Sequence, residues 1–171
     1  VLLFLLFITC TVHAQTSQPE TLKRYLSLTN SFLQDGGKWI RQNRDMIPGD
    51  TSSAGYYALE FYRGINANTL QFKLKSYLPL RSEWKIIGEL LLSWNAKKQI
   101  VVLYGVGSDG VIIAGESELI TANELHLLSS STNAEGKVEE SKEVFGFKDG
   151  KIEVSSSTKK KNTWDQTTNV I

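Results

Sequence analysis

Leu22, Tyr25, Leu26, Thr29, Phe32 and Leu33 recur at intervals of three and four residues, and beyond Gly37 the apolar period falls to two. The first spacing lays one apolar stripe along a helix, because each turn takes 3.6 residues. It predicts a single helix over about 19–34. Ser17 and Glu20 stand at capping-box spacing at its start, and Asp35-Gly36-Gly37 supplies its stop. The second spacing marks strands with one buried and one wet face. In 69–77, for example, Leu70, Phe72 and Leu74 alternate with Gln71, Lys73 and Lys75. The same reading predicts strands over 39–44, 56–63, 83–94, 99–106, 111–119, 124–130, 138–147, 151–158 and 163–167. Gly107-Ser108-Asp109-Gly110, Asn133-Ala134-Glu135-Gly136 and Lys148-Asp149-Gly150 carry the turn chemistry between them. About ten short strands joined by short turns predict a mostly β fold. The expected form is an up-and-down antiparallel barrel with one N-terminal helix, since closure removes exposed sheet edges.

The chain begins VLLFLLFI and reaches Val12-His13-Ala14 before Gln15. An apolar run of this length ending in a small-residue site is the pattern of a secretory signal peptide, too short to span a bilayer as a helix. Residues 1–14 are therefore expected to be removed, leaving 15–171 as one domain that works in the periplasm or outside the cell. A lipid-modified Cys10 fits less well, because Ile8 and Thr9 precede it where small residues are needed.

Removing that leader leaves no Cys, and His126 as the one remaining His. Disulfides, thiolate chemistry and multi-His metal sites are thereby excluded. A net charge of +1 argues against a nucleic-acid partner. No segment is long and apolar enough to predict a membrane span. Hydrophobic content of 41% suffices for a core.

Gly37-Lys38-Trp39 places a Gly-x-Trp after a short helix at the start of the first strand. With WNAKKQI at 94–100, Asp109-Gly110, Gly115-Glu116 and Asp149-Gly150, it resembles a group of small secreted bacterial lipocalin-like (calycin-type) proteins of unknown function. The resemblance covers most of 20–167. It implies that Trp39 closes one end of a barrel, and it carries no catalytic signature.

Strict alternation predicts a barrel lining that includes Trp39, Arg41, Tyr57, Phe61, Arg63, Phe72, Trp84, Trp94 and Tyr104. A barrel of this size can hold a small apolar ligand. An inward Arg41 or Arg63 could clamp a carboxylate with two parallel bonds, or could sit at a strand end with its head in water. His126 could ligate haem, but Leu125 and Leu127 alternate away from it, as beside a surface His. No cofactor is expected. Glu116 with Glu118, and Glu139 with Ser141 and Glu143, read as solvated faces rather than catalytic pairs. Lys159-Lys160-Lys161 reads as a charged hairpin tip. No Gly-x-Ser-x-Gly elbow is present, so no catalytic residue is assigned. The expected function is a non-catalytic binding module for a small hydrophobic or fatty-acid-like ligand. The alternatives are a filled barrel acting through its surface and a cofactor-free enzyme on a calycin-type barrel. Ligand identity and oligomeric state stay open.

Overall fold

The computed structural model describes residues 18–161 and 163–170, with side chains as far as Asp165. Residues 1–17, with the expected signal segment, Cys10 and Ser17, lie outside the described residues. Helix α1 spans Glu20–Phe32 and buries Leu22, Tyr25, Leu28, Thr29 and Phe32. Its stripe is the expected one with Leu28 added, while Leu26 and Leu33 are only partly buried. Pro19 takes the N-cap position, with no side-chain cap.

The chain leaves α1 through Asp35, Gly36 and Gly37, all at positive φ. Gly37 also lies against the Phe61 carbonyl, where a Cβ would come within 2.5 Å. Only glycine serves both demands, and the close approach aims the first strand along its neighbour.

Ten strands follow in chain order: β1 Lys38–Gln42, β2 Tyr56–Arg63, β3 Thr69–Leu78, β4 Glu83–Asn95, β5 Ile100–Gly107, β6 Ile112–Ile120, β7 Glu124–Thr132, β8 Val138–Lys148, β9 Lys151–Lys160 and β10 Thr163–Val170. They form one antiparallel meander in which each strand pairs with the next. The expected succession of strands is present. The sheet is not closed: among the described residues no ladder joins β1 to β10.

The sheet is nevertheless strongly curled. Phe72 on β3 meets Phe145 on β8 with ring centroids 5.5 Å apart, and Trp39 on β1 meets Phe147 on β8 at 5.9 Å. These strands are far apart in the sheet order, so their inner faces must turn toward each other. α1 covers one end of the curl. Its Phe32 stacks on Phe61 at 5.1 Å, its Tyr25 hydroxyl donates to the Leu92 carbonyl at 3.1 Å, and its Phe32 carbonyl accepts from Trp39 Nε1 at 2.8 Å. Burial of the Tyr25 ring pushes its hydroxyl pKa upward, so it remains a neutral donor.

Two bulges change which side chains face inward. In β4 the register against β3 shifts at Ile87, where Leu74 pairs with Gly88 but Lys75 with Ile86. One extra residue exchanges the two faces of a strand. Gly88, Leu90, Leu92 and Trp94 therefore follow the inner row, whereas Trp84 and Ile86 fall on the outside. A second bulge, at Glu118, shifts β6 against β7. Among the described residues no helix is long and apolar enough to cross a membrane.

Candidate functional site

Above the α1 end, the curled sheet borders a partly open cavity of about 840 Å³. Ligand pockets commonly occupy roughly 300–1,000 Å³. Its apolar wall is made by Leu59, Phe72, Leu74, Leu90, Ile113, Phe145 and Val154. Its polar wall carries Ser76, Ser156, Glu143, Arg41 and Tyr57. The loop between β1 and β2 borders it at the end away from α1, through Asn43, Asp45, Asp50, Ser52 and Ser53. That loop is tied at its base. Asn43 donates from its backbone to the Gly55 carbonyl and from Nδ2 to the Ala54 carbonyl, both at 2.8 Å.

The sheet ladder explains this lining, polar toward the β1–β2 loop and apolar toward α1. Tyr57 pairs with Arg41 on one side and Ser76 on the other, forming a polar rung. One rung closer to α1, Leu59 pairs with Leu74, and the next joins Phe61 to Phe72. On the opposite wall, Phe145 pairs with Leu125 and Val154, while Glu143 pairs with Leu127 and Ser156. Gly88 and Gly107 border the cavity without adding side-chain volume to it. Gly105 stands beside Leu90, where a Cβ would come within 2.7 Å of Cγ, and Leu90 lies across that gap.

Glu143 is half-buried and borders the cavity. Burial pushes its carboxyl above the ordinary range. The Ser129 hydroxyl, donating to Oε1 at 3.2 Å, offsets this only in part. Arg41 places its guanidinium carbon 5.9 Å from the centroid of the Tyr57 ring, a cation–π arrangement. Asp50 accepts from the Ser52 backbone at 2.8 Å and the Ser52 hydroxyl at 2.6 Å, which hold its carboxyl below the ordinary range.

Of the side chains expected to line the interior, Arg41, Tyr57 and Phe72 border the cavity. Trp39 points inward but belongs to the closed end, between Phe32 and Phe147. Phe61 and Trp94 are buried in the packed core beside α1. Arg63 lies at the α1 end of β2, where its guanidinium donates to Asn30 Oδ1 at 2.7 Å.

Two expectations are corrected. Trp84 lies outside because of the bulge at Ile87, 39% exposed, with its ring 5.2 Å from Tyr77. Tyr104 is 58% exposed, since its neighbours Leu103 and Val101 hold the inner row. His126 occupies the outer face, with Nε2 2.9 Å from Glu124 Oε2.

Ser76, Ser156 and Glu143 of the polar lining were not anticipated. Glu143 was expected on a solvated face, yet it shares the inner row with Phe145 and Phe147. Counting back by two from those phenylalanines is the signal that would have found it. No family model matches the chain, and no curated protein matches it.

Proposed function

We propose that this chain is a non-catalytic binding module that holds a small apolar or amphiphilic ligand within a lipocalin-like barrel. The observation that carries the reading is the unfilled interior: about 840 Å³ lined by apolar side chains toward α1 and by polar ones toward the β1–β2 loop. A structural barrel would fill that space, because protein interiors pack close to crystal density. The cross-strand aromatic contacts support an enclosure of barrel form, and the Gly37-Lys38-Trp39 corner supports the lipocalin-like assignment. The apolar run at 1–8 supports a secreted or periplasmic location. Binding would come from burial of the ligand's apolar part, with a few polar contacts fixing its orientation.

A neutral naphthylamine fluorophore tests this. Its emission should rise with a saturable, one-to-one isotherm. Leu74→Trp, which extends an indole from the apolar wall into the space, should abolish that rise while the protein still melts cooperatively. Equal binding by the folded variant would place the fluorophore elsewhere and remove the cavity from the account.

A further inference from the structure

We propose that the ligand is a cationic amphiphile, an ammonium head on an apolar chain, whose head is held at Glu143. The inference rests on the binding-module reading and adds the sign of the ligand's charge. The cavity is bordered by three carboxyl side chains, Asp45, Asp50 and Glu143, against one cationic side chain, Arg41. Low-dielectric walls concentrate the field of such groups and select the complementary charge. This balance disfavours the carboxylate ligand that Arg41 alone suggests.

The three acids do not occupy equivalent places. Asp45 and Asp50 lie on the bordering loop, with Asp45 exposed and Asp50 half-buried. Glu143 projects from a strand into the wall itself, one rung from the Phe145–Phe72 contact. The inner row of the flanking strands offers it Ser129 and Leu127 on β7 and Ser156 on β9, none of them charged. An ionised carboxylate there is poorly compensated by the protein, and an ammonium would supply the missing partner. The apolar chain would then run along Leu74, Leu90 and Phe72 toward α1.

The test compares three probes of equal chain length on the folded protein: dodecylammonium, dodecanol and dodecanoate. Each displaces the naphthylamine fluorophore below its micelle-forming concentration at neutral pH. Dodecylammonium should bind about tenfold more tightly than dodecanol, the scale of one charge-assisted hydrogen bond, and dodecanoate more weakly than both. Glu143→Gln, shown to be folded by its melting transition, should bring the ammonium and alcohol affinities together. Dodecanoate binding as tightly as dodecylammonium would overturn the proposal and leave the binding-module reading standing. An ammonium preference unchanged in the Glu143→Gln protein would do the same. Failure of all three probes to compete would overturn both.

Discussion

The two ends of this interior are built from different residues. Toward α1, Phe32, Phe61, Phe72 and Phe145 form a continuous chain of ring contacts, each with centroids 5.1–5.5 Å apart. Toward the β1–β2 loop the inner row carries Ser76, Ser129, Ser156, Glu143 and Arg41, and the space between the walls stays open. The backbone ladder is continuous through both. The difference is one of side-chain volume and polarity alone. Short hydroxyl side chains cannot reach across the curl, whereas rings can. The packed end therefore supplies stability, and the open end leaves space between the side chains.

That contrast can be broken by substitution. The largest effect belongs to the inner row beside α1: Trp94→Ala should lose about 3–5 kcal/mol in denaturant unfolding, as large-to-small changes in a packed core do. Trp84→Ala, only ten residues earlier but on the outer face, should change stability by less than about 1 kcal/mol. Equal losses would mean that the bulge at Ile87 does not exchange the faces.

A smaller effect tests the helix that closes the packed end. Tyr25→Phe removes the hydroxyl that donates to the Leu92 carbonyl. It should cost about 1 kcal/mol by chemical denaturation, the usual net worth of such a bond. No loss would show that the hydrogen bond does not help to hold α1 on the sheet.

The smallest effect is at the open end and depends on pH. The raised Glu143 pKa means that the native state favours the protonated carboxyl. Its stabilising contribution is full below the ordinary carboxylate pKa and is lost as pH rises through the raised value. Glu143→Gln should therefore melt with the parent protein in acid and a few degrees above it at neutral pH. A variant that melts below the parent at neutral pH would place the carboxylate in a favourable ionised contact instead. Glu60, on the outer face, contrasts in sign. Burial raises its pKa, but Lys75 at 2.5 Å, Tyr62 and Lys38 together hold it below the ordinary range.

The succession of one helix and ten strands was legible because period-two alternation and glycine turns are local signals. Facing was legible only where alternation ran unbroken, as from Leu70 to Leu74. It failed at Trp84, because nothing local to that segment announces the extra residue at Ile87. Tyr104 was misplaced for a simpler reason: in the run Val101-Val102-Leu103-Tyr104 both rows are apolar, so hydrophobicity cannot choose between them. Glu143 was misplaced by the opposite prejudice, that an acid belongs in water. Glu143 departs from the rule that inward positions are apolar, and the proposed binding chemistry is placed at that departure.

Native mass spectrometry of the protein, purified without refolding from a secreting host, tests the central claim most directly. The account predicts a discrete small added mass that is lost on denaturation. A bare polypeptide mass, with no uptake from a panel of apolar, cationic and anionic amphiphiles, would contradict it.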